Sequence, residues 1–288
     1  MKPVHILTLV FVTAIWGVNF VVAKLGLHEI PPLLLTALRF FLVAIVLVPF
    51  VPRPQRILTR ILPLSVTLGS LHFSLMFIGL TRVDASVASI AIQLQIPFAA
   101  ILAAIFFKDR LGWRRAAGMA LAFFGVVLVA GMPRISGDRL YLVLVILASL
   151  VWAVGNVQIK ALDGIGAVTL NAWISLFSAP QLLILSLIFE HGQLAALTTA
   201  GWRGYGALVY MAIMGTIVGY GLWYAMIARY TTNMTMPFLL LVPVFGVLSG
   251  ITMLGEPLSW QIVLGGLAVV AGVGVIVLRR PKLARPEA

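Results

Sequence analysis

Apolar residues in this chain gather into ten runs, at roughly 4–24, 33–51, 61–80, 86–107, 113–131, 139–159, 167–189, 204–228, 233–254 and 260–278. Read as helices rising 1.5 Å per residue, such runs are long enough to cross about 30 Å of hydrocarbon. They are too long and too evenly apolar for the alternating pattern of barrel strands, and lipid leaves no other backbone satisfied. The pattern predicts an all-α integral membrane protein with ten transmembrane helices. Pro31-Pro32, Pro52-Arg53-Pro54, Pro133 with Gly137, and Gly164 with Gly166 punctuate the gaps. The connections are too short to hold a soluble domain.

Composition agrees, with 62% hydrophobic residues against 10% charged, far from the balance of a soluble domain. No cysteine is present and only four histidines are, so no disulfide framework, thiolate metal site or cofactor is expected. No nucleophile–base pair or phosphate-cradling glycine loop has a recognisable spacing, so the chain does not read as an enzyme. The net charge of +12 falls in short clusters between apolar runs rather than along one polar face. That distribution points to anionic membrane lipids and not to nucleic acid.

Orientation follows from the same clusters. With the N-terminus cytoplasmic, about 14 basic residues lie on the cytoplasmic side, among them Arg53, Arg56, Arg60, Arg110, Arg114, Arg115 and the tail Arg279, Arg280, Lys282 and Arg285; about 5, including Arg82, Arg134 and Arg203, lie opposite. Both termini are therefore expected in the cytoplasm. Lys2 precedes an apolar stretch longer than a signal-peptide core and without a small-x-small cleavage site, so the first run reads as a retained span.

The chain also repeats itself. Shifting it by 136 pairs Trp16, Val18 and Lys24 with Trp152, Val154 and Lys160; shifting by 147 pairs Arg82 with Arg229, Asp109 with Glu256, Trp113 with Trp260, Gly118 with Gly265 and Gly125 with Gly272. Two halves of five spans explain this, residues 1–137 and 138–278, followed by a basic cytoplasmic tail, 279–288. An odd-numbered repeat enters the membrane from opposite sides. The expectation is an inverted five-plus-five repeat with a site near the midplane, between halves, where helices are interrupted. Pro97 and Pro243 fall midway along the fourth and ninth spans. Each kinks its helix and deprives the carbonyl four residues earlier, Gln93 and Leu239, of its donor.

Four stretches carry a resemblance: WGVNFVVAKLGLHEIPPLLLTALRF, TIVGYGLWY followed by ARY, LLVPVFG, and GEPLSWQIVLGGLAVVAGV. Their order and spacing resemble the EamA-type transporters of the drug/metabolite transporter superfamily, over nearly the whole chain. The first and third look especially close to the branch that exports O-acetylserine and cysteine. The resemblance implies ten helices, an inverted repeat, a bacterial inner-membrane location and export of small metabolites from the cytoplasm. Where the second half reads Gly255-Glu256 and Gln261, the first reads Lys108-Asp109 and Arg114; these departures sit at span ends.

Candidate ligands are the polar and aromatic residues that break the apolar runs. Trp16 and Trp152 lie near the middle of their spans, not at belt depth, so their indoles should face the bundle interior. Asn19 and Asn156 share a helical face with them; such amides act either as interhelical glue or as ligands for a zwitterion. Gln93 and Gln95 point about 200° apart, so one of them is expected to face a cavity squarely, and Gln93 shares the face of Pro97. Tyr220, Trp223 and Tyr224 form an aromatic stripe suited to a substrate ammonium or to core packing, with Trp223 and Trp173 ambiguous. Arg39 lies roughly six residues, about 9 Å, into its span, within reach of the interface or of a substrate carboxylate. Gly215 and Gly219 have the small-xxx-small spacing that brings helix backbones together. Trp113, Trp202 and Trp260 read as belt residues, and Lys24 and Lys160 as interfacial anchors. The acids, Glu29, Asp84, Asp109, Asp138, Asp163, Glu190, Glu256 and Glu287, all fall in loops or at span ends.

These features predict a carrier that exports small neutral or zwitterionic metabolites, amino acids foremost, by alternating access. An alternative is a proton-coupled drug or cation antiporter using His72, the one histidine near the middle of a span; a channel or lipid scramblase is a further class. Whether two copies pair as a homodimer is left open by the sequence.

Overall fold

The computed structural model describes residues 1–54, 58–107, 112–132, 138–160, 162, 165–230 and 232–278. Outside the described residues lie Arg56, the Lys108-Asp109 pair, Arg110, Arg134, Asp163, Glu287, the turn residues Pro133, Gly137 and Gly164, the boundary at 137, the tail 279–288, and the side chain of Lys160.

Among the described residues, ten helices are long and apolar enough to cross a membrane: α1 (Pro3–Leu27), α2 (Pro32–Phe50), α3 (Leu58–Leu80), α4 (Ala85–Phe106), α5 (Trp113–Ala130), α6 (Arg139–Ile159), α7 (Ala167–Phe189), α8 (Trp202–Arg229), α9 (Met236–Leu254) and α10 (Trp260–Val277). They match the predicted runs to within a turn at each end. Proline opens α1 and α2, where its missing N–H costs nothing. Ser259 caps α10 by accepting the Ile262 N–H at 3.3 Å. Large apolar side chains such as Phe11, Phe124, Leu187 and Leu267 are exposed on the bundle surface, which suits a lipid solvent as apolar as they are.

Packing crosses between the halves of the chain. α1 packs on α9 and α8, and α6 on α4 and α3; α2 packs on α7, and α5 on α10. The last pair meets backbone to backbone. A Cβ on Gly118 would stand 2.7 Å from the Gly272 carbonyl oxygen, and one on Gly125 would stand 2.5 Å from that of Gly265. The contacts are reciprocal, with a Cβ on Gly272 at 2.4 Å from Gly118 O and one on Gly265 at 2.6 Å from Gly125 O.

Among the described residues α2 ends in a 3-10 turn at Val48–Phe50, and four other helices depart from regular α geometry. α3 widens into a π-helical stretch at Ser65–Leu71 and α8 does so at Met211–Val218. α4 tightens to 3-10 geometry at Ile92–Leu94 before Pro97, and α9 at Met236–Leu240 before Pro243. Such stretches leave backbone groups outside the regular α ladder.

One end of the bundle is tied by carboxylates. Glu29, beyond α1, accepts the N–H groups of Gly201, the residue before α8, and of Gly204 in its first turn, both at 2.8 Å. Glu190, beyond α7, accepts those of Leu33 and Leu34 in α2 at 2.7 and 3.1 Å. Glu256, beyond α9, accepts those of Ala85 and Ser86 in α4 at 2.6 and 2.9 Å, together with the Ser86 hydroxyl. Each acid thus satisfies orphan donors at the N-terminus of a helix from the other half, where the helix dipole favours negative charge. Lys24 joins them, donating to Val83 O at 2.6 Å and lying 3.6 Å from Asp84 and 3.9 Å from Glu256. That corrects its assignment as an interfacial anchor. Two carboxylates and a carbonyl solvate the ammonium within the protein, so the chain has no need to reach the headgroups.

Candidate functional site

Where the irregular stretches of α3, α4, α8 and α9 face one another, a cavity of about 520 Å³ opens, lined from every helix except α5 and α7. Trp16, Asn19, Arg39, His72, Gln93, Trp152, Asn156, Tyr220 and Tyr224 all line it.

From α1, the Trp16 indole N–H donates to the Gly215 carbonyl at 3.0 Å, as an indole deep in an apolar bundle requires. Asn19, one turn on, faces the same stretch of α8, and its Oδ1 is buried without a donor. Gly215 and Gly219 make this fit possible. A Cβ on Gly215 would lie 2.8 Å from Asn19 Oδ1, and one on Gly219 would lie 2.7 Å from Trp16 Nε1. The sequence reading, that these glycines bring two helix backbones together, is therefore corrected. They receive the two polar side chains of α1, and the small spacing serves the cavity.

Aromatic rings continue this wall. The Trp16 ring lies 5.2 Å from Tyr220 and 5.4 Å from Trp223, and Tyr220 stacks on Tyr224 at 5.8 Å. Trp223, ambiguous by sequence, is buried and lines the cavity. Trp173 is also buried, but it donates to Pro52 O at 3.1 Å and packs under α3. Trp113, Trp202 and Trp260 are exposed at the ends of their helices.

From α3, the His72 Nδ1–H donates to Ala148 O at 2.8 Å, since a carbonyl can only accept. The ring packs 4.8 Å from Trp152 and 4.7 Å from Phe73. Arg39 is buried, with Nη2 and Nε donating to Thr216 Oγ1 at 2.8 and 3.3 Å and its guanidinium 4.6 Å from the Phe73 ring. None of the described residues lining the cavity is an acid.

Gln93 reaches across the halves. Its Nε2 donates at 3.2 Å to the carbonyl of Leu239, one of the two that the prolines deprive of a donor. Pro97 and Pro243 are themselves buried next to the tightened stretches. Gln95 lines the cavity as well, which corrects the expectation that only one of the two amides faces it. The 3-10 stretch turns about 120° per residue, bringing positions two apart to within about 120° of each other instead of about 160°. Asn156, near the end of α6, lines the cavity and is exposed, whereas Ala23 and Leu80, toward the carboxylate-tied end, are buried.

Sequence reasoning missed Phe20, Phe73, Met76 and Phe77, which also line the cavity, and Thr216, which holds Arg39. Nothing distinguishes these apolar residues from the lipid-facing ones beside them.

Comparison with known proteins adds two kinds of likeness. The EamA-like transporter family model matches the chain twice, over residues 4–131 and 139–278. The chain is 36% identical over 272 residues to the "Probable amino-acid metabolite efflux pump" of Salmonella typhimurium, covering 91% of each chain, and 35% identical to the Escherichia coli K12 protein of the same description, again covering 91% of each. It is 25% identical to the uncharacterized transporter YoaV of Bacillus subtilis, covering 93% of this chain and 94% of that one. A solved crystal structure superposes with a TM-score of 0.65 at 17% identity, covering 96% of this chain and 98% of that one, a likeness of fold.

Proposed function

Because the chain belongs to the EamA-like transporter family, and is a membrane transporter and not an enzyme, we propose that it exports small neutral or zwitterionic metabolites across a bacterial inner membrane. Amino acids and their derivatives, of the cysteine and O-acetylserine kind, are the substrates. The two efflux-pump relatives support that class. The observation that carries the reading is the cavity itself, where amides and indoles from both halves and phenols of α8 converge and none of the described lining residues is an acid. A permanent cation would find no counter-charge there, and a metabolite with an apolar body and a few polar atoms finds both rings and hydrogen-bond partners.

Transport is by alternating access between two inverted halves, 1–137 and 138–278. The double family match, the reciprocal glycine contacts of α5 and α10, and the matched irregular stretches support that arrangement. With both termini cytoplasmic, the end tied by Glu29, Glu190 and Glu256 faces outward and is closed, and the cavity opens inward past Asn156. The state described is the one that loads substrate from the cytoplasm. The halves then rock about the interrupted stretches near Pro97 and Pro243, the outer ties part and the substrate leaves. None of the described residues lining the cavity is an acid that could carry a proton, which supports export down the substrate gradient.

Uptake of radiolabelled O-acetyl-L-serine and L-cysteine into sealed vesicles tests this. Saturable uptake that an uncoupler leaves unchanged is the expected result. Uptake against a gradient that collapses with an uncoupler overturns the passive mechanism, and uptake that rises linearly with concentration overturns the carrier.

A further inference from the structure

Arg39 presents an electrostatic problem that no other described residue solves. Only 3% of it is exposed, and no ion pair of the described residues includes it, since those present join Lys24 to Asp84 and Glu256. Thr216 Oγ1 takes one donor from Nε and one from Nη2, and Nη1 is buried without a partner. A buried charge left this way is costly, and the Phe73 and Phe40 rings at 4.6 and 5.5 Å offset only part of that cost. Of the five guanidinium donors, two remain on Nη1 and one on Nη2, side by side, the spacing that a carboxylate accepts with both oxygens. Thr216 fixes the fork, because its own hydroxyl proton is committed to Met211 O at 3.0 Å across the π-helical stretch.

The adjacent step of the same stretch supplies the opposite chemistry. Asn19 Oδ1, an acceptor without a donor, lies against Gly215, and the Trp16–Tyr220 ring pair stands beside it. An α-amino acid carries its carboxylate and ammonium on one carbon, and Gly215 and Thr216 are consecutive. The shift that pairs Trp16 with Trp152 places Ser175 opposite Arg39, and Arg39 is the one arginine or lysine among the described residues that line the cavity, so the substrate has one orientation.

Resting on the amino-acid reading of this cavity, we infer that Arg39, held by Thr216, is the carboxylate anchor of the site, with Asn19 and the neighbouring rings receiving the ammonium. A free carboxylate is thereby obligatory. The substrate carboxylate pairs with Arg39, and the decarboxylated amine and the ester are rejected.

Thermal unfolding of the purified full-length protein tests this, using O-acetyl-L-serine and the common L-amino acids, then the strongest binder against its methyl ester and its decarboxylated amine. The acid is expected to raise the melting temperature and the two analogues to leave it unchanged. Arg39→Gln should weaken the acid by about tenfold to a hundredfold while leaving the melting temperature of the empty protein equal or higher, an outcome that a structural role for Arg39 would reverse. Equal stabilisation by acid and ester, or full stabilisation by chloride or phosphate, overturns the anchor while leaving the transporter reading intact. If no amino acid binds wild type but an uncharged metabolite does, both fall. The wild-type comparison decides even where the variant fails to fold.

Discussion

Glu256 accepts both the backbone N–H and the hydroxyl of Ser86, so a carboxylate at the end of α9 closes the start of α4 in the other half of the chain. Glu29 and Glu190 do the same for α8 and α2. Six backbone donors at three helix N-termini therefore depend on charges that arrive from across the molecule. These ties, at one end of the bundle, are polar and lie at helix ends, apart from the apolar packing behind them.

Replacing Glu256 with Gln should loosen that end. The amide keeps one acceptor but loses the charge that the α4 N-terminus and Lys24 face, a change of about 1–3 kcal/mol for a buried charged hydrogen bond. Since the chain has no native cysteine, a single Ala23→Cys reporter on the cavity wall can be labelled cleanly. Labelling by a membrane-impermeant maleimide added from outside should rise in Glu256→Gln; unchanged labelling would mean the ties do not hold the outer end closed.

Two glycines of α8 should differ sharply. A Cβ at Gly219 meets Trp16 Nε1 at 2.7 Å, whereas one at Gly221 meets nothing within 4 Å. Gly219→Ala should displace the indole and abolish saturable transport in folded protein, and Gly221→Ala should transport like wild type. Equal activities would remove Trp16 from the site.

Gly125→Ala and Gly272→Ala place a methyl group against backbone in the α5–α10 contact, 2.5 Å from Gly265 O and 2.4 Å from Gly118 O. Backbone cannot yield as a flexible side chain can, so each should destabilise by about 1–3 kcal/mol. Thermal melts in detergent should show the loss, with substrate affinity in the remaining folded protein unchanged.

His72→Gln separates the exporter from the antiporter. The imidazole donates to Ala148 O, and none of the described residues lining the cavity is an acid that could take its proton. A glutamine amide can make the same hydrogen bond, so the pH profile of uptake should be unchanged. A profile that flattens in the variant would make His72 a proton carrier.

Much of this molecule was open to inspection in one dimension, and Trp16 and Lys24 show where that ended. Hydrophobic run length places Trp16 inside a span, and its indole N–H then requires an interior acceptor. That the acceptor is Gly215 O, in a stretch of α8 wound to π geometry, depends on a residue far along the chain. Lys24 sits at a span end and has the local context of a headgroup anchor. Its real partners, Asp84 and Glu256, come from two other loops. The Gly215 and Gly219 spacing predicts close contact but not what makes it, and Gln95 reaches the cavity only because the helix tightens before Pro97.

The sequence by itself determined the solvent, the helices and their number, because lipid tolerates only backbone that satisfies its own hydrogen bonds, and that requirement is written as run length and composition. It also determined which few polar residues had to find partners indoors. Tertiary structure alone decided who those partners are: which carboxylate caps which helix, which glycine admits Trp16, and that Arg39 meets a threonine and no acid. Those choices rest on distances between residues more than a hundred positions apart, and no local pattern of side chains encodes a distance.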